Sequence, residues 1–424
     1  MNPSPSLGRR LLTTGGARLA VLPVSTVVAL VMHAVLIRDL GEAQYGVLSL
    51  LITIPQLLPF LDLGLGTGLV NAYAGPDRPT AVRQTITAWF MLCMVAAVLL
   101  LVVVVVHVSV GWSAVLGVDV SFYPPVMLLL YAAMFLIAVP IGLGQRILVG
   151  LGRVTLVTWL QGLFAPINLA VVGVGHLTGQ FEVYLLTNVL AQLMVAICIL
   201  VVATRAVGIR ATDLVIPTRG QAVDRRLLWA SAAPMLLISI CLPLTFQSHR
   251  LVLSHLAPDG LTPYAVAMVL YAPAVGLLNQ VGMNLWSHFT RIATDDPDAT
   301  QQAFWKLLRL SVPANLLFAV GFAVAAPVVS ELWSGQRLSP WLWVAMGTLL
   351  FVQGIQYVPG MYLTTPAGLR FQARCVVAMT GLAFGLMWVV TPVLGTTGPV
   401  IASVIGVAVC QLSPELVHIA RGRR

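Results

Sequence analysis

The stretch "TFQSHRLVLSHL" places Gln247, Arg250 and Ser254 three and four residues apart, the spacing that gathers side chains on one face of a helix. Its neighbours are apolar, so this arginine stands in a segment suited to hydrocarbon. Ionisable groups at such depth are costly and usually face a protein interior or a water-filled cavity. A guanidinium suits a phosphate, because its planar fork donates to two oxygens at once and keeps its charge almost anywhere. The alternative is a side chain that reaches up to the outer headgroups. His249 stands about 100° round the same helix; it reads either as a second cavity residue or as a satisfied packing imidazole.

A second polar face follows, with Gln280, Asn284 and His288 at i+4 spacing leading to Arg291. Unsatisfied amides in lipid cost several kcal/mol, so such a stripe turns toward protein or water. The third group is Asp62, in "FLDLGLGTGLVNAYA" (60–74). It reads as a proton or cation site, as the partner of a buried arginine, or as a structural carboxylate accepting bonds from a helix end. Pro55, Pro59, Gly64 and Gly66 around it predict a bent or unwound helix. His33 lies in the span before it.

The elements that carry these groups are membrane helices. The chain is 59% hydrophobic and 9% charged, against roughly 25% charged in an average soluble domain. A spanning helix takes about 20 mainly apolar residues, and twelve such spans can be marked. They lie near 18–37, 45–74, 85–106, 124–146, 154–175, 181–204, 227–256, 262–290, 304–327, 339–363, 371–392 and 397–418. The first is read as a retained helix rather than a cleaved signal. The five cysteines all fall in apolar spans without metal-ligand spacing and read as packing residues.

With the amino terminus inside, alternating spans place twenty of the 23 basic residues in cytoplasmic segments, leaving Arg38, Arg250 and Arg337. The net charge of +9 then meets anionic lipid headgroups on that face. Dispersed arginines without interleaved aromatics give no nucleic-acid surface. Both termini are expected in the cytoplasm.

Internal similarity links the two halves. "VLIRDLGEAQYGVL" (35–48) and "LVLSHLAPDGLTPYAVA" (251–267) each run between spans across a short outer turn, and His33 with His249, Tyr45 with Tyr264 and Arg153 with Arg370 pair at nearly constant separation. Six spans repeated in parallel give two lobes around a central cavity. The expected division is an N-terminal six-helix lobe over 1–204, a cytoplasmic linker over 205–226 and a C-terminal lobe over 227–424.

Three motifs carry a family resemblance: Leu40-Gly41, Tyr45-Gly46 and Asp62-Leu63-Gly64-Leu65-Gly66, all within 40–70. They resemble the first two helices of Wzx-type polysaccharide biosynthesis flippases, members of the MOP superfamily that also holds the MATE transporters. Weaker echoes are "ILVGLGRV" (147–154), "ELWSG" (331–335) and "PVLGTTGPVIAS" (392–403). The chain departs from the pattern at His249, where such proteins often carry an acid.

The resemblance implies an all-α, MATE/MOP-like fold of about twelve helices in two six-helix lobes. It implies a flippase in the bacterial inner membrane that moves an undecaprenyl-pyrophosphate-linked oligosaccharide outward by alternating access. Arg250, with Arg38 or Arg291, would meet the pyrophosphate or acidic sugars, and the Gln280 stripe would meet hydroxyls. Glycosyltransferases and a polysaccharide polymerase are the implied partners, and proton or sodium the coupling ion. The rival reading is a cation-coupled multidrug or metabolite antiporter of the MATE type, with Asp62 as the coupling carboxylate. An enzyme is not expected, nor any cofactor: the sequence has no Walker-type phosphate loop, metal-ligand set or nucleophile elbow.

Overall fold

The computed structural model describes residues 7–57, 65–74, 77–210, 225–295 and 297–422, with the side chains of 7–22, Leu57, Thr67, Asn71, Ala74, 225–235, most of 280–299 and Pro366 outside the described set. The described chain is almost wholly helical. In order the helices are α1 (Leu7–Leu57), α2 (Leu65–Ala74), α3 (Arg78–Ser109), α4 (Trp112–Leu116), α5 (Pro125–Ile141), α6 (Leu143–Gly150), α7 (Val154–Gly162), α8 (Phe164–Thr178) and α9 (Thr187–Val207). They continue as α10 (Arg225–Phe246), α11 (His249–Leu256), α12 (Leu261–Asp295), α13 (Pro297–Ser334), α14 (Pro340–Tyr362), α15 (Pro366–Leu394), α16 (Gly398–Gly406) and α17 (Ser413–Ala420).

Among the described residues, ten segments are long and apolar enough to cross a membrane. Two of them run across a boundary between expected spans. Pro23–Gln56 holds the first span and the start of the second, and Ala367–Ala420 holds the last two. The joints fall at the expected breaks but are too short to interrupt the helix by more than a turn. Gly41 interrupts α1 with φ 73° and ψ 172°, a left-handed conformation that glycine adopts without a Cβ penalty. A single 3₁₀ turn, Gly395–Thr397, separates α15 from α16. The chain is a multi-pass membrane protein.

Two compact units emerge from the contacts within the chain. One holds Met1–Gln44, Phe60–Val115 and Asp119–Ala233; the other holds Tyr45–Pro59, Leu116–Val118 and Pro234–Arg424. In the first, Leu69, Tyr73, Leu92, Ile147 and Val195 form a continuous apolar core. Asp77 caps α3 by accepting the Thr80 N–H at 3.1 Å, and bonds from the Thr80 side chain and backbone hold its carboxyl below the usual carboxylate range. Farther along, α3 leaves Leu101 and Val108 exposed, at 64% and 79%. Apolar side chains on the outer face of a helix are what lipid-facing positions require.

In the second unit, Trp343, Met346 and Leu350 of α14 pack with Tyr264 and Tyr271 of α12 and Val400 of α16. The segment that begins at Tyr45 joins this unit at close range. A Cβ on Gly46 would stand 2.7 Å from the Thr262 hydroxyl oxygen and 3.2 Å from the Leu261 Cβ. Only a residue without a side chain lets these backbones approach so nearly, which accounts for the Tyr45-Gly46 pair.

Candidate functional site

The candidate site is built around Arg250 on α11, within the second unit. Upstream, Ser49 donates to the Gly46 carbonyl at 2.8 Å and Thr53 to the Ser49 carbonyl at 2.8 Å. With its proton committed to its own helix, the Thr53 hydroxyl is left as an acceptor, and Arg250 Nη2's twin nitrogen, Nη1, donates to it. The guanidinium lies 5.8 Å from the centroid of the Tyr264 ring, within the range of a cation–π contact. Its Nε is buried without a hydrogen-bond partner among the described residues. The side chain as a whole is only half-buried, so this cation is fixed on one side and accessible on the other.

His249 supplies the scaffold for that arrangement. It is 2% exposed, with Nδ1 at 2.6 Å from the Tyr264 hydroxyl and Nε2 at 2.7 Å from Ser403 Oγ. Ser403 Oγ donates in turn to the Thr245 carbonyl at 3.4 Å. The pattern closes when Tyr264 donates to Nδ1 and the ring proton sits on Nε2, so both nitrogens are used. One turn back, Thr245 and Thr380 share a hydroxyl–hydroxyl bond of 2.8 Å, and Thr380 also donates to the Cys241 carbonyl at 3.1 Å. The Ser403 hydroxyl of α16, itself bonded to the α10 backbone, thus fixes the imidazole, the imidazole holds Tyr264, and Tyr264 lies against Arg250.

The other expected site residues fall as follows. Gln247 is half-buried in the turn between α10 and α11, its N–H donating to the Pro243 carbonyl at 2.7 Å. Ser254 shares the helix but is fully buried, donating to the Leu251 carbonyl at 2.7 Å. Arg38 is exposed and His33 half-buried, both on α1 within the first unit. The backbone of Gln280, Asn284, His288 and Arg291 continues α12, and their side chains lie outside the described residues, as does Asp62 altogether.

No protein-family model and no curated protein matches the sequence. Solved structures do. An inward-facing multidrug resistance MATE family transporter of the MOP superfamily aligns with a TM-score of 0.69 at 16% identity, covering 96% of this chain and 97% of that one. The lipid II flippase MurJ, in an inward closed conformation, aligns with a TM-score of 0.66 at 11% identity, covering 94% and 87%. A single-residue mutant of the Vibrio cholerae MATE transporter VcmN aligns with a TM-score of 0.64 at 13% identity, covering 99% and 98%.

The chain has the MATE and MurJ fold. Identity this low establishes the architecture and leaves the substrate to the site itself.

Within that MATE and MurJ fold, two polar clusters were not singled out in the sequence. In the first unit, Asp39 accepts from the Tyr184 hydroxyl and lies 2.8 Å from His176 Nδ1. It joins α1, just before its Gly41 break, to the end of α8 and to the 3₁₀ turn Phe181–Leu186. Its signal was an acid beside Arg38 at the Gly41 turn, which reads as an ordinary loop charge. In the second unit, α14 carries Gln353, Gln356 and Tyr357 at helical spacing. Tyr271 donates to Gln353 at 2.9 Å, Tyr357 to Asn279, and Gln356 to Glu415 at 3.4 Å. Glu415 is an acid inside the last expected span, and its placement near the end of that span resembles a headgroup contact.

Proposed function

We propose that this protein is a flippase that moves a lipid-linked oligosaccharide, an undecaprenyl-pyrophosphate-linked polysaccharide repeat unit, from the inner to the outer leaflet of a bacterial cytoplasmic membrane. Both termini face the cytoplasm, transport proceeds by alternating access, and glycosyltransferases and a polymerase act before and after it. The observation that carries this reading is Arg250, a fixed cation inside a membrane span with an unpartnered buried Nε and a half-accessible side chain. Anionic oxygens are its natural ligands, and a pyrophosphate presents several on one group. The likeness to a lipid II flippase fits a substrate of this kind.

The test is genetic and chemical together. Cells lacking the protein are expected to accumulate lipid-linked repeat units on the inner leaflet and to lose the surface polysaccharide. Normal polysaccharide with no accumulation would defeat the proposal. The likeness to multidrug MATE transporters supports a second reading, a cation-coupled drug or metabolite antiporter. Vesicles with an imposed proton or sodium gradient separate the two: gradient-driven efflux of small organic cations, with no lipid-linked substrate moved, would favour the antiporter.

A further inference from the structure

We infer that Glu415 is a proton-binding carboxyl, the residue through which this transporter takes up and releases a proton. The inference borrows the transporter reading for its use, and the site itself stands on the geometry of the second unit. Glu415 is 0% exposed, and its Oε1 has no hydrogen-bond partner among the described residues. Its Oε2 accepts from Gln356 Nε2 at 3.4 Å, and Gln411, 6% exposed, is the second amide beside it. Two neutral amides do not neutralise a carboxylate, and no Lys or Arg among the described residues forms an ion pair with it.

A buried carboxylate left with a bare oxygen is strongly disfavoured, whereas a proton on that oxygen removes the charge without a new partner cation. The local backbone gives a further mark. Glu415 lies in the first turn of the helix that follows a π-helical turn, Val407–Leu412, a deviation from α geometry found frequently at functional sites. Ser413 Oγ donates back to the Ala408 carbonyl at 2.7 Å across that turn.

The titratable and charged groups around Glu415 are few. Cys375 faces it from α15, with Arg374 beside it laid over the Phe371 ring at 5.8 Å. The π turn contributes Cys410, which lies near Cys375. On α14, Tyr362 packs in the same apolar cluster as Ile419, and Tyr357 is bonded to Asn279. One turn along its own helix, His418 stacks on Phe371 at 4.0 Å, and beyond it Ala420 and Arg421 are exposed. The reaction is a simple one: a proton from water adds to Oε1 and leaves the same way, with the Gln356 amide holding the other oxygen in both states.

Infrared difference spectroscopy on the full chain in phosphatidylglycerol–phosphatidylethanolamine vesicles tests this without any transport substrate. A protonated-carboxyl C=O band is expected in the wild type, bleached by raising the pH, lost in Glu415→Gln and retained in Glu331→Gln, whose carboxylate is an exposed partner of Arg337. Gln356→Leu keeps the acid but removes a donor from its carbonyl oxygen, so the band should move to higher frequency; this variant carries the test if Glu415→Gln fails to fold. An unchanged band in both variants overturns the inference. So does a band bleached by sodium but not potassium at constant pH, which would make the site a sodium site. Export of lipid-linked oligosaccharide does not enter the measurement, so the flippase reading and the proton site can fail independently.

Discussion

The guanidinium of Arg250 sits 5.8 Å from the centroid of the Tyr264 ring, and the hydroxyl of that ring is 2.6 Å from His249. Two consecutive residues of α11 therefore act on a single aromatic side chain, one over its face and the other at its tip. Positioning passes from imidazole to phenol to guanidinium, and among the described residues no acid pairs with the cation.

Arg250→Ala should lower export of lipid-linked oligosaccharide at least about tenfold, equivalent to some 1.4 kcal/mol, while Arg250→Lys should restore only part of it. Lysine keeps the charge but has no planar fork for two phosphate oxygens. Mass spectrometry of the lipid-linked pool, in cells carrying the variant as sole copy, reads the effect. A well-folded Arg250→Ala protein with wild-type export removes the residue from substrate binding.

His249→Ala should act chiefly on stability. It leaves the Tyr264 and Ser403 hydroxyls without their shared partner, and each buried polar group so stranded costs about 1–3 kcal/mol. Thermal unfolding of the purified protein in detergent is expected to show a clear fall in midpoint. If the midpoint stays put, the imidazole is not the brace described above.

At Gly46 the expected defect is steric. Gly46→Val forces a side chain against Thr262 Oγ1, which a Cβ alone would meet at 2.7 Å, and overpacking of this kind costs about 1–3 kcal/mol. Adding Thr262→Ala should recover part of the loss in folded yield, measured by size-exclusion chromatography. Equal yields for the single and double variants would show that the contact is not limiting.

Acid sensitivity has one traceable source at Asp77. Its carboxyl is held below the usual range by bonds from Thr80, so the cap stabilises α3 fully above the unfolded pKa and is lost as pH falls through the folded one. Asp77→Asn keeps a capping oxygen but carries no charge at any pH. Melting midpoints of wild type and variant should therefore differ at neutral pH and converge in acid; a constant gap would contradict the assignment.

The membrane helices were legible because apolar runs of about 20 residues leave little other choice. Their joints were less so. Both were marked as breaks between spans, at Gly41 by the charges Arg38, Asp39 and Glu42 around it, but their tightness was not visible: Gly41 turns α1 within a single residue, and Gly395–Thr397 occupies one 3₁₀ turn. Arg250 was legible as a charge out of place, but its partners were not, since Thr53 lies 197 residues away and the Ser403 that fixes its neighbour lies 154 away. Pairings at that distance are decided by packing, which local spacing does not encode. Glu415 was hidden for a different reason: near the end of a span an acid looks solvated, and only the surrounding helices show that it is buried.

The segment Tyr45–Pro59 is encoded near the start of the chain yet belongs by its contacts with Pro234–Arg424. A fragment that began at Pro234 would therefore carry Arg250 without the Thr53 hydroxyl that receives it. Cutting the gene between the two halves and expressing the pieces together would turn this into an assembly reporter. The later fragment could complete its own interior only by accepting a helix from the earlier one, and loss of that exchange in Thr53→Val would reveal how far a single hydroxyl governs the recognition of one half by the other.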